Sequence, residues 1–152
     1  MLITNLMLSI ETHAEKLTAD FVSDLETNPK TTHFARVPHE DLTQGARTLY
    51  ARLAHWLGGK NTEELEANFQ ARARRQREAG IPLSEIVFAV ILLKKHVWDF
   101  VKRNAIVDTI GDMYQRDEAF MMISEFFDRL LYVTTKGYEE GEPRWKEPRL
   151  FT

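Results

Sequence analysis

The segment from Leu83 to about Asn104 has apolar residues on two different sides of a helix, and this feature constrains the fold most. At about 100° per residue, one broad stripe is formed by Ile86, Ala89, Val90, Leu93, Val97, Phe100 and Val101. A second stripe lies about 100° from the centre of the first and contains Val87, Ile91 and Trp98. A surface helix of a monomer needs only one apolar face. The sequence therefore predicts either a central helix packed on both sides, or a helix whose second stripe is a dimer face.

Four further segments have the apolar spacing of helices. They cover residues 2–27, 39–57, 61–79 and 116–136. Asn61 and Glu64 have the spacing of a capping box at the start of the third helix. Helix ends are expected at Asn28-Pro29, Gly58-Gly59, Gly80 and Gly137, since proline and glycine stop helices.

The remaining segments are short and no strand is predicted. Residues 105–115 are expected to hold a short helix or turn, and residues 138–152 an extended tail or linker. No segment alternates between apolar and polar residues as a strand does. We therefore predict an all-α bundle of about five main helices without a sheet. Its inner core or a pocket is expected to contain Phe100, Phe120, Ile123 and Phe127.

Composition excludes several classes of function. The 152 residues include no cysteine, which excludes disulfides, thiolate metal sites and cysteine nucleophiles. Glycine-rich phosphate loops, nucleophile elbows and histidine-glutamate metal motifs are also absent, so we expect no enzyme, no metal and no cofactor. The longest apolar run has eight residues, Ile86 to Leu93, too few to span a membrane. The N-terminus lacks a charged region before its apolar stretch, so a cytoplasmic protein is expected.

The net charge of −3 hides a basic centre. Residues 72–103 carry eight basic and three acidic side chains, and the segments on either side are both acidic. The candidate docking surface for an acidic partner consists of Arg72, Arg74, Arg75 and Arg77. The alternative is an ordinary solvated helix face. Arg72 and Arg75 lie opposite Arg74 and Arg77 on the helix, which disfavours binding to nucleic acid.

His96 is the candidate cofactor ligand. It borders the apolar stripe of the fourth helix, and an all-α chain of this size with such a histidine could bind haem, with His96 as the proximal ligand. The competing interpretation is a partly buried histidine with a hydrogen-bond partner, and this one is favoured.

The junction between the third and fourth helices reads R-x-x-G-x-P-L-x-E and is followed by a long apolar helix with a Leu-Lys pair and a tryptophan. This pattern resembles the N-terminal sensor domain of the RsbR/RsbRD family, the RsbT co-antagonists of bacterial stressosomes. Phe127-Asp128 and Gly137-Tyr138 in the last helix also fit the family. The residues that carry the resemblance are Arg74, Arg77, Gly80, Pro82, Leu83, Glu85, Leu93 and Lys94.

The resemblance implies a globin-like, haem-free fold over residues 1–137, followed by the tail 138–152. It implies a homodimer that acts as the sensory input domain of a stress-response protein, with a partner kinase or a stressosome scaffold. In this family a STAS domain follows the sensor, so either the chain is the sensor part of a longer protein or it acts alone. A haem- or tetrapyrrole-binding sensor is the alternative function, and a nucleic-acid-associated helical regulator is the third.

Overall fold

The computed structural model describes residues 2–57 and 62–140, and these residues form seven α-helices and one 3₁₀ turn without any strand. The prediction of an all-α protein is therefore confirmed for this part of the chain, whereas the number of helices is higher than five. The helices are α1 (Leu2–Thr12), α2 (Ala14–Thr27), α3 (His39–Ala51), α4 (Leu53–Leu57), α5 (Glu63–Glu78), α6 (Leu83–Asn104) and α7 (Ile110–Glu140), with the 3₁₀ turn at Thr32–Arg36.

The first predicted helix is interrupted at His13, which separates α1 from α2. The backbone of His13 has φ −100° and ψ 20°, outside the helical range. Its side-chain Nδ1 donates a hydrogen bond of 2.8 Å to the carbonyl oxygen of Ser9. Such side-chain bonds to the preceding turn bend helices, and apolar spacing alone does not reveal them.

The second predicted helix is also interrupted, at Arg52 between α3 and α4. Arg52 has φ −129° and ψ 23°, and its N–H donates to the carbonyl of Leu49, three residues back, at 3.4 Å. The chain continues in nearly the same apolar register, because Leu49 and Leu53 are both fully buried. The predicted end at Gly58-Gly59 and the predicted cap at Asn61 lie outside the described residues.

The last helix begins earlier and ends later than predicted. A reciprocal cap starts it: Asp112 N–H donates to Thr109 Oγ1 at 3.0 Å, and Thr109 N–H donates to Asp112 Oδ2 at 3.2 Å. The helix then runs through Gly137 to Glu140, so the prediction that Gly137 ends it is wrong. Residues 138–140 are helical, and the rest of the predicted tail lies outside the described residues.

The centre of the bundle is α6, whose broad apolar stripe packs on α2 and α7. Helix α3 packs along α2, and α5 lies along α7. Helix α1 packs against α3, α4, α6 and α7. Every residue of the broad stripe on α6 is buried, as the sequence predicts. No helix within residues 2–57 and 62–140 is both long and apolar enough to cross a lipid bilayer.

Tyr50 joins α3 to the centre of α6. Its ring is fully buried, and its hydroxyl donates a 2.9 Å hydrogen bond to the carbonyl oxygen of Leu93. Burial raises the pKa of the Tyr50 phenol well above its usual value, because the phenolate would lose its hydration. Below about pH 10 the phenol is protonated in both the folded and the unfolded protein, so the stability is fully present there. As the pH rises above the pKa of an unfolded tyrosine, the unfolded chain loses this proton more readily than the folded one, and the free energy of unfolding falls.

Replacing Tyr50 with phenylalanine is expected to lower the free energy of unfolding by about 1 kcal/mol at pH 7, because the hydrogen bond to α6 is lost. Above about pH 10 the difference in free energy of unfolding between variant and parent should narrow, because only the parent has a phenol at position 50 that resists deprotonation in the folded state. Urea unfolding at pH 7 and pH 11 measures both effects. An unchanged gap would contradict the prediction.

Candidate functional site

The corner between α5 and α6 has the geometry that its Gly-x-Pro sequence predicts. Gly80 has φ 84°, and its N–H donates to Arg77 O at 2.9 Å. The N–H of Ile81 donates to Gln76 O at 3.0 Å, which completes a Schellman motif at the end of α5. Pro82 precedes the first residue of α6. A Cβ at position 80 would also lie 2.5 Å from the end of the Arg36 side chain, which can move aside, so the positive φ is what requires glycine at this corner.

Glu85 in the first turn of α6 connects the corner to the 3₁₀ turn through hydrogen bonds. Its carboxylate is 8% exposed and accepts a 2.9 Å hydrogen bond from the backbone N–H of His33. The same carboxylate pairs with His33 Nδ1. No local pattern could have revealed this pair, because 52 residues separate its members.

A cavity of about 60 Å³ lies between the helices near this corner, and Gln76 and Ile86 on either side of the corner line it. Helices α2, α3, α5, α6 and α7 all contribute to its wall, which is mostly apolar. Thr134 of α7 is 4% exposed and lines the cavity, and its hydroxyl has no hydrogen-bond partner among the described residues. The apolar wall includes Phe21, Phe34, Phe69, Ile86, Val90 and Leu93.

The predicted core or pocket residues lie elsewhere. Phe100, Ile123 and Phe127 are buried in the general core, and Phe120 is half-buried. None of these four side chains lines the 60 Å³ cavity. Their apolar spacing indicates burial correctly, but spacing cannot distinguish a filled core from the wall of a cavity.

Arg72 lies at the polar side of the cavity. Its guanidinium packs against α3 at Gly45, where a Cβ would lie 3.1 Å from the Arg72 Cζ. Its Nη1 donates to the carbonyl oxygen of Asp41 at 3.0 Å, and its Nε donates to Asn68 Oδ1 at 2.9 Å. Burial, and then the neighbouring charge of Arg75, lower the pKa of Arg72, and Asp41 opposes this shift.

A second, more polar cleft adjoins the cavity and shares part of its wall. Both are lined by Val37, Asp41, Arg72 and Gln76. Arg36 and Arg75 also line the cleft, so three guanidinium groups and one carboxylate surround it. The cleft beside the apolar cavity is therefore electropositive, with a local balance of about +2.

The four arginines of the candidate docking surface do not share one face. Arg72 and Arg75 line the cleft beside α3. Arg77 lies on the side of α7, where its guanidinium is 4.8 Å from the centre of the Tyr138 ring. Its Nη1 donates a hydrogen bond of 2.9 Å to the Tyr138 carbonyl oxygen. Arg74 is half-buried on the same helix. The structure brings Arg36, which the sequence did not single out, to the cleft instead.

His96 is paired with a carboxylate. Its Nε2 lies 2.9 Å from Asp24 Oδ2, its side chain is 16% exposed, and its ring packs edge-on against Phe21. It lies outside the lining of the 60 Å³ cavity. Within residues 2–57 and 62–140, no three His, Cys, Asp or Glu side chains are grouped to hold a metal ion. This geometry favours the interpretation of His96 as a hydrogen-bonded structural histidine.

The second stripe of α6 is only partly covered. Trp98 is half-buried between the Phe120 ring, 5.6 Å away, and the Lys94 ammonium, 4.8 Å from its ring. Val87 is half-buried, and Ile91 is 41% exposed at a shallow cleft beside Leu131 of α7. The structure thus places Val87 and Trp98 partly within the protomer and leaves Ile91 at its surface.

Helix α7 has an outer stripe of exposed apolar and aromatic side chains, and the same arc of the helix also contains the exposed carboxylates of Asp128 and Glu139. At 100° per residue, its four members fall within an arc of about 40°. Two of them, Met121 and Tyr132, follow directly after Phe120 and Leu131, which pack beside α6. The outer stripe consists of Ile110, Tyr114, Met121 and Tyr132, all of them exposed.

The comparison with known families gives one match. A family model described as the RsbT co-antagonist protein rsbRD N-terminal domain matches residues 14–149. No curated protein and no solved structure matches the chain.

Proposed function

Since the chain belongs to the family of RsbT co-antagonist rsbRD N-terminal domains, a family of stress-response signalling proteins, we propose that it is a non-enzymatic sensory input domain. In this proposal the domain is cytoplasmic, has a globin-like arrangement of helices without haem, and forms a homodimer through α6 and α7. Its output is a contact with a partner kinase or a stressosome scaffold.

The observation that carries the dimer is the apolar surface shared by α6 and α7. Ile91, Met121 and Tyr132 are large apolar or aromatic side chains that the protomer leaves exposed. The two helices have 22 and 31 residues, or about 33 and 46 Å, and helices are about 10 Å wide.

A dimer at this surface would give the domain a means of signalling. A stimulus that changes how α6 and α7 pack within one protomer would also change how the two protomers meet. The proposal needs no catalytic group, and it makes α7 the element that couples the interior to the interface.

The double substitution Ile91→Glu and Met121→Glu is expected to convert a dimer into a monomer at tens of micromolar protein. Each dimer would bury four carboxylates in an apolar interface, and their desolvation disfavours association. Trp98 is left unchanged because its ring packs on Phe120 within the protomer. Sedimentation velocity measures the oligomeric state, and circular dichroism checks that the variant is folded.

The matched control is Leu8→Glu, which places a charge at an exposed leucine of α1. This variant should remain dimeric, because the change lies on a different helix. A monomeric parent at tens of micromolar would refute the proposed dimer. A dimeric double variant would refute the assignment of the interface to α6 and α7.

A further inference from the structure

We propose that the 60 Å³ cavity binds a short-chain monocarboxylate, with its carboxylate between Arg72 and the Thr134 hydroxyl and its alkyl end among the aromatic side chains. If the chain is an input domain as proposed above, this ligand is its stimulus. The inference deepens that function, and the binding itself can be measured independently of any dimer.

The first argument is the unused hydroxyl of Thr134. A buried hydroxyl without a partner is costly, and native proteins pair most such groups. Thr134 lies 96% buried in the wall of a cavity, so a polar atom placed in that cavity would satisfy it. The hydroxyl can donate its proton to a carboxylate oxygen.

The second argument is the charge at the entrance. Arg72 has the carbonyl of Asp41 and the side-chain oxygen of Asn68 as its acceptors, and no carboxylate forms a salt bridge with it among the described residues. Arg36 and Arg75 add positive charge in the adjoining cleft, and the carboxylate of Asp41, which lines both the cleft and the cavity, offsets one of the three guanidinium charges. An anion that enters through this cleft would gain a charge-assisted hydrogen bond from Arg72.

The third argument is size and polarity. One water needs about 10–15 Å³ of such volume, so a cavity of about 60 Å³ holds about four to six non-hydrogen atoms. Acetate has four and propionate has five. Phosphate has a similar size, but the polar groups of the wall are one guanidinium, the Asp41 carboxylate, the Gln76 amide and the Thr134 hydroxyl, and the rest is mostly apolar. With a carboxylate already present, this wall disfavours a multiply charged anion and suits a single charge attached to a short alkyl group.

The experiment is an NMR titration of the full chain with sodium propionate, compared with propionamide and with sodium chloride at equal ionic strength. We expect saturable shifts of amides in α5 and α7 with propionate alone. The variant Thr134→Val should bind propionate about three- to tenfold more weakly, because one hydrogen bond is lost. The same variant should melt at an equal or higher temperature without ligand, because an apolar group replaces an unpaired hydroxyl.

Two matched controls separate the site from general effects. Thr18→Val removes another buried, unpartnered hydroxyl that lies outside this cavity, and it should leave propionate affinity unchanged. Arg72→Gln should weaken binding by tenfold or more, whereas Arg103→Gln, with the same change of net charge at an exposed position, should not.

Absence of saturable amide chemical-shift changes with propionate would overturn the proposal. Equal shifts with propionamide would overturn the role of the charge. A dimer without propionate binding would refute this inference while leaving the proposed function intact. Binding by a monomer would support the site and refute the dimer.

Discussion

Replacing Gly137 with alanine is expected to lower the free energy of unfolding by about 3 kcal/mol, because α5 and α7 touch through their backbones at this position. A Cβ on Gly137 would lie 2.7 Å from the Cα of Gln70 and 2.8 Å from its carbonyl oxygen. Neither atom belongs to a flexible side chain, so the two helices would have to separate. Alanine favours helix formation by about 1 kcal/mol over glycine, which would give the opposite sign if the contact were unimportant.

The matched control is Gly111→Ala in the first turn of the same helix. A Cβ there would meet only Thr109 Oγ1, at an ordinary contact distance of 3.6 Å. This variant should be unchanged or more stable by up to about 1 kcal/mol. Urea unfolding of both variants measures the difference, and equal stabilities would show that the close approach of α5 and α7 is wrong.

Replacing Phe127 with alanine is expected to lower the free energy of unfolding by about 4 kcal/mol, which is typical of a large aromatic side chain removed from a packed core. Phe127 is 2% exposed and contacts the Phe126 ring edge-on at 5.2 Å. It also lies at the seam between α6 and α7, beside Val90 and Leu131. The loss should therefore loosen the two helices that form the proposed interface.

Phe120→Ala is the control for Phe127→Ala, because it removes the same side chain at a half-buried position of the same helix. Its expected cost is about 1–2 kcal/mol, since part of the ring is already in contact with water and its main neighbour is Trp98. Thermal unfolding of the two variants ranks them. If Phe120→Ala is the more damaging change, the placement of these residues relative to the core is wrong.

Apolar spacing located the helices because burial imposes the same 3.6-residue period on every one of them. The stripe of α6 and the buried residues of α2 and α3 follow it closely. The breaks at His13 and Arg52 do not change that period, so the sequence predicted two long helices where the structure has four. The cap of α7 was readable, since Thr109 and Asp112 have the spacing of a capping box.

The residues around the cavity could not have been identified from the sequence. A glycine at a helix end and a glycine at a helix contact look the same in a sequence, and Gly137 is of the second kind. The isolation of the Thr134 hydroxyl depends on every neighbour within hydrogen-bond reach, and these neighbours come from several helices. The sequence singled out part of the wall only as apolar residues of the α6 stripe, and the arginines of α5 without their partners.

The contact between Gly137 and Gln70 also has a mechanical consequence. It lies near one end of α7, and 27 residues, or about 40 Å of helix, separate it from Ile110. If this tight contact acts as a pivot, a tilt of about 5° moves the distant end by about 3.5 Å, whereas Thr134 moves by only about 0.4 Å. A small displacement beside the cavity would thus become a shift of several ångströms at the exposed apolar residues near Ile110.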